Sequence, residues 1–215
     1  MASIIQYMTT NGVPELSLMF FLILPIAATL ITFARQIIGL KTFGLYIPLI
    51  TTIAFLATGI RYGVFLFLII MITGTLLRYL IKKLNLLYFP RVALTLAGIT
   101  IAMYVLFLIA AYFDKIGFVK VSVFPVLILI VLSEKFIATQ IRLGNKKAIL
   151  MAVETLIVSI ASFYLISWDA LHVFALNHPL VVIGGVIIAN IALGRWGGFR
   201  LTEYFRFREV IKKNK

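Results

Sequence analysis

A chain of 215 residues that is 63% hydrophobic and only 13% charged, with a mean hydropathy of +1.13, is not written as a water-soluble domain. The formal net charge of +13 would suit a nucleic-acid ligand, but the basic residues lie between and after long apolar runs, with no soluble basic face to carry a duplex. No cysteine is present, which excludes disulfides, thiolate metal sites and thiol chemistry.

Residues 1–15 lack the positive start and small-residue cleavage site of a secretory signal, so they are expected to be retained as an extracytoplasmic segment. Seven apolar stretches follow, at 16–34, 42–60, 62–81, 91–113, 119–138, 147–168 and 178–196, each near the roughly 20 residues that a helix needs to cross hydrocarbon. Backbone groups must be satisfied inside lipid, so each stretch is expected to be helical. Pro25, Pro48 and Pro125 fall within or near the starts of spans and are expected to kink or interrupt them, whereas Pro90 and Pro179 sit near helix starts, where proline is tolerated. Ser133, Glu134 and Lys135 interrupt the fifth stretch. The fold class that emerges is all-α: a polytopic membrane bundle occupying 16–196, with seven transmembrane helices of which the second and fifth are proline-interrupted. A basic cytoplasmic tail at 197–215 completes the expected organisation.

Orientation follows from the Lys and Arg residues, which cytoplasmic loops accumulate. Assigned alternately to the two sides, 17 of the 20 fall on one side and only Arg61, Lys115 and Lys120 on the other. The alternation closes only with an odd number of spans. It places the N-terminus outside and the C-terminus in the cytoplasm of a multi-pass protein of the cell inner (plasma) membrane.

Glu154 lies seven residues beyond Lys147, about 10 Å into the sixth stretch at 1.5 Å per residue. On a helical wheel it shares one half with Ala148, Ala152, Thr155, Ser159 and Ser162, while Ile149, Val153, Leu156, Ile157 and Ile160 occupy the other. The first half is expected to pack on protein and the second to meet lipid. Two readings of Glu154 stand side by side: a proton, cation or substrate contact, or a hydrogen-bonded packing residue. Glu134, beside Lys135 and nearer the cytoplasmic interface, is a candidate intramembrane functional residue like Glu154 and Asn190, set against its reading as an interfacial charge that snorkels or pairs. Asn190 and Thr51, Thr52, Thr73 and Thr75 are candidates for bonds between helices, and Gly185 with Ala189 makes a small-xxx-small spacing that permits close helix approach. His172, His178 and Asp169 share an outer loop without any standard metal spacing, so no metal is expected.

No phosphate loop, dinucleotide fingerprint, HExxH or GxSxG elbow occurs, and the glycines of Gly194 to Gly198 have the wrong spacing for a phosphate cradle. No catalytic residue and no cofactor are expected. The tail alternates Trp196, Phe199, Tyr204, Phe205 and Phe207 with Arg195, Arg200, Arg206 and Arg208. That pattern suits a juxtamembrane segment on anionic lipid or a docking surface for a cytosolic partner.

The segments GLKTFGLYIP (Gly39 to Pro48), LYFPRVALTL (Leu87 to Leu96), VFPVLILIVLSEK (Val123 to Lys135) and LGRWGGFRLTEYFRFR (Leu193 to Arg208) resemble the seven-helix membrane domain usually found fused to an inactive transglutaminase-like domain, over residues 20–208. A second resemblance, over residues 39–168, is to the small membrane subunit of poly-γ-glutamate (capsule) synthases, through the apolar segments around Pro48 and Pro125. Both resemblances imply partnership with a cytosolic ATP-grasp or Mur-ligase-like enzyme, and they point to Glu134 and the stretch Arg200 to Arg208 as positions to test. The expected function is a non-catalytic membrane subunit that anchors a cytosolic amide ligase and supports export or anchoring of a peptide or polyglutamate-like product. The alternative is a proton- or ion-coupled transporter or channel using Glu154. Small-residue helix faces make a homo-oligomer a further expectation.

Overall fold

The computed structural model describes residues 7–84, 86–113 and 123–198, and every regular element among them is helical. The helices are α1 (Glu15–Phe33, continued by a π-turn at Ala34–Ile38), α2 (Tyr46–Thr58), α3 (Ile60–Lys82), α4 (Tyr88–Tyr112), α5 (Val123–Leu143), α6 (Asn145–Ile166), α7 (Asp169–Asn177) and α8 (Pro179–Gly194). The chain divides into two compact units, residues 1–49 with 157–215 and residues 50–156.

Among the described residues, four segments are long and apolar enough to cross a membrane: 17–38, 60–82, 90–112 and 145–166. A fifth is obtained if α7 and α8, bent by 105° at His178, count as one broken span. The remaining expected spans differ for identifiable reasons. Pro48 is the third residue of α2, so the helix begins just before it and the expected stretch 42–60 is cut back to 13 residues. At 1.5 Å per residue that is about 20 Å, short of the roughly 30 Å of hydrocarbon. The fifth stretch reaches further toward the C-terminus than expected, and residues 119–122 at its expected start lie outside the described residues. With no breaker before Gly144, α5 runs two turns past Glu134 to Leu143, so the charges lie inside the helix rather than at its end. Gly144, at φ +85°, is left-handed and ends it, donating its N–H to the Gln140 carbonyl at 3.1 Å.

In the first unit, α1 packs against α7 and α8, and α7 against α8. Pro25 sits inside α1 without ending it, and Thr29 Oγ1 donates to the Pro25 carbonyl at 2.8 Å. The last turn widens so that the N–H groups of Gly39 and Leu40 both return to the Ala34 carbonyl, at 3.0 and 3.1 Å. The chain then folds back. Ile31, Ala34 and Val158 form a buried cluster against which Ile38, Leu40, Leu45 and Leu49 pack. Ser159 Oγ donates to the Pro48 carbonyl at 3.1 Å, tying the first turn of α2 to α6 in a buried bond.

In the second unit α3 packs against α4 and α5, and α4 against α5. The helices meet at Gly74 of α3, where a Cβ would lie 3.2 Å from Ile137 Cδ1 of α5 and 3.7 Å from Ile99 Cδ1 of α4. Helices in lipid gain little from apolar burial alone, so close approach through small residues and dispersion carries the packing. Gly185 of α8 has open space around it, so the small-xxx-small spacing with Ala189 is not what brings described helices together.

Gly74→Leu is therefore expected to cost about 1–3 kcal/mol through overpacking. Thermal unfolding of detergent-solubilised protein checks this, with Gly185→Leu as the near-neutral comparison.

Candidate functional site

A polar cluster forms where the C-terminal ends of α3 and α5 meet the start of α6. Arg78 Nη1 donates to Gln140 Oε1 at 3.2 Å and to Asn145 Oδ1 at 2.7 Å. Gln140 Nε2 donates to Thr75 Oγ1 at 3.1 Å, and Asn145 Nδ2 donates to the Tyr79 hydroxyl. The Arg78 guanidinium also lies 5.8 Å from the centre of the Tyr79 ring, within cation–π range. Gln140 is only 1% exposed, so its amide would carry a full desolvation penalty without these partners. Sequence reasoning took Arg78 as a topology charge and passed over Gln140 and Asn145. The available signal was spacing: Gln140 lies two helical turns from Ser133, on the face that meets Gly74.

Glu134 is half-buried in α5 and lines a small cavity with Arg91, Thr95 and Ser133. Arg91 Nη2 donates to the Leu86 carbonyl at 2.7 Å, while its buried Nε has no acceptor among the described residues. The cavity leaves about 30 Å³ in which a water centre fits. That is room for a bridging water and not for a solute of any size.

Glu154 is half-buried in α6. Around it the expected division of the helix is present: Ala148, Ala152, Thr155, Ser159 and Ser162 are buried, while Ile149, Val153 and Ile157 are about half exposed. Leu156 and Ile160 are intermediate. Neither Glu134 nor Glu154 is without a partner. Ser162 Oγ is buried with no partner among the described residues.

Asn190 joins α8 to α1. Its Nδ2 donates to Thr29 Oγ1 at 2.7 Å and to the Val186 carbonyl of its own helix at 2.8 Å. The threonines behave differently from the amides: Thr75 Oγ1 donates to the Met71 carbonyl of its own helix at 2.8 Å and is joined across helices only because Gln140 reaches it. His172 and Asp169 lie on α7 rather than in a loop, and the His172 Nε2 is bonded to the Ile166 carbonyl. No group of three or more His, Asp or Glu suited to a metal occurs among the described residues. Arg195 is exposed and follows the end of α8, its N–H donating to the Ile191 carbonyl at 3.1 Å. Arg200, Arg206 and Arg208 lie outside the described residues.

Gln140→Leu removes the link between Arg78 and Thr75. It is expected to destabilise the protein by about 0.6–2 kcal/mol, the range of hydrogen bonds between membrane helices. Chemical unfolding in bicelles measures this, against Thr100→Val, whose hydroxyl bonds only within α4.

Residues 13–211 match the family described as seven transmembrane helices usually fused to an inactive transglutaminase. No curated protein and no solved structure matches the chain significantly. The match takes in both helical units and the segments whose glycines, prolines and arginines first suggested it, while the likeness to the capsule-synthase subunit rests on its two proline-bearing segments alone. The chain is an all-helical, multi-pass membrane protein and belongs to this seven-transmembrane family.

Proposed function

We propose that the protein is a non-catalytic membrane subunit that anchors a cytosolic ATP-dependent amide ligase, of ATP-grasp or Mur-ligase-like type, and supports export or anchoring of its peptide or polyglutamate-like product. One observation carries the reading: the tail from Arg195 onward interleaves arginines with aromatics, the residue types that dominate protein docking surfaces. Membership in a family usually fused to an inactive enzyme domain agrees with a role in holding rather than transforming. In this reading the N-terminus is outside, and residues 197–215 face the cytoplasm of the plasma membrane, in keeping with the 17 basic residues assigned to that side.

The experiment uses the absence of cysteine. Asn214→Cys protein should react with an impermeant maleimide only after cells are permeabilised, and the intact protein should co-purify with an ATP-dependent ligase. Replacing Arg200, Arg206 and Arg208 together with alanine should lower recovery of that ligase about tenfold or more, as loss of arginine hot spots does. Labelling of Asn214→Cys in intact cells, or unchanged recovery from the triple variant, overturns the reading.

A second reading has its own observation. Glu154 is half-buried on a helix face whose neighbours Ala148, Ala152 and Thr155 are buried, and acids at depth commonly serve proton or ion pathways. If the protein is a proton- or ion-coupled transporter or channel, Glu154→Gln should abolish a flux that the unaltered protein supports in liposomes. No flux in the unaltered protein, or an equal flux in the variant, removes this alternative.

A further inference from the structure

Between α3, α5 and α6 runs an open groove of about 360 Å³, in the size range of small-ligand pockets. Leu68, Ile72 and Leu76 of α3 form one wall, Ile149 and Val153 of α6 the other, and Phe136 of α5 closes the floor. The wall residues are 47–59% exposed while Phe136 is 3% exposed, so the trough opens outward. From Leu68 to Leu76 it extends about 12 Å along the helix. Its one polar lining group is Thr75 Oγ1, already engaged by Gln140 and the Met71 carbonyl, so the groove offers an occupant only apolar contact.

One end of the groove is different in kind. Half a turn past Leu76 lies Arg78, which spends Nη1 on Gln140 and Asn145 while Nε and Nη2 of its planar fork meet no acceptor among the described residues. Asn145 brings the start of α6 to the same place, with exposed Lys146 and Lys147 beside it and exposed Lys82 one turn beyond Arg78. A helix N-terminus with its positive dipole end adds to these cations. No carboxylate lines the groove, so nothing in it offsets an incoming negative charge.

We propose that this groove holds one acyl chain of an anionic phospholipid, with the lipid phosphate on Arg78 and the lysines around it. Both α3 and α6 are long and apolar enough to span a membrane, so the trough lies where acyl chains are the surrounding solvent. The apolar walls order the chain, the guanidinium holds the phosphate by paired N–H bonds, and the cations around it disfavour a headgroup that carries a positive charge of its own. The bound lipid then bridges α3 and α6 on the side where Phe136 forms the floor between them. This site is independent of whether a ligase docks on the tail.

Native mass spectrometry of the full chain, exchanged into detergent with phosphatidylglycerol or phosphatidylcholine of identical acyl chains, tests the proposal. One phosphatidylglycerol should be retained, with about fivefold preference over phosphatidylcholine, the ratio that a basic residue near an anionic surface supplies. Ile72→Trp fills the groove without touching the Arg78 bonds and should remove the retained lipid. Arg78→Gln should abolish the headgroup preference, and if that variant fails to fold, Lys82→Gln combined with Lys146→Gln should weaken the preference instead. Val181→Trp, at an exposed position of α8, should change neither. Equal retention of the two lipids, undiminished retention by Ile72→Trp, or a homodimer that Ile72→Trp dissociates would each overturn the assignment.

Discussion

Hydrocarbon offers no hydrogen bonds, so every polar group carried into it must find its partner within the chain. That constraint accounts for most of what the side chains do here. Eight threonines, at 29, 32, 58, 75, 95, 100, 139 and 155, turn their hydroxyls back to the carbonyl four residues earlier. A short β-branched side chain reaches that carbonyl without leaving its helix. Longer amides and a serine make bonds between helices. Asn190 reaches Thr29, Gln140 reaches Thr75 and receives Arg78, and Ser159 reaches the Pro48 carbonyl.

The same constraint explains why arginine can sit so near the apolar groove. Arg78 is half-buried, yet its charge is met by two side-chain oxygens and an aromatic face. Those bonds hold the ends of α3 and α5 and the start of α6 at one place. A cation fixed at the mouth of an apolar trough is a polarity pattern shared with a lipid molecule. The small cavity beside Arg91 and Glu134 has the opposite character, since its space suits water alone.

Much of the fold and part of the candidate site were legible in the residues. The helical face of α6 that buries Ala148, Ala152, Thr155, Ser159 and Ser162 follows from a period of 3.6, because small and hydroxyl-bearing residues fall on one side and branched aliphatics on the other. Span positions near 60–82, 90–112 and 145–166 follow from hydropathy, and the family from glycines, prolines and arginines at the helix ends. Gln140 and Asn145 escaped notice because an amide is ordinary at a helix end. Only their meeting with Arg78, more than 60 residues away along the chain, makes them a node.

What the sequence determined by itself is the solvent: a chain with this hydropathy belongs in a bilayer, in helices, whatever its neighbours do. Where each helix begins and ends was decided by local backbone chemistry that hydropathy does not weigh. Pro48 near its start and Gly59, at φ +79°, just past its end hold α2 to 13 residues, and the lack of any breaker before Gly144 carries α5 past its charges. Which residues touch was left to tertiary structure. A hydrogen bond between helices depends on the rotation of both, and Gly74, Gln140 and Asn190 acquire their roles only when another helix presents a side chain within about 3 Å or a surface close enough to exclude one.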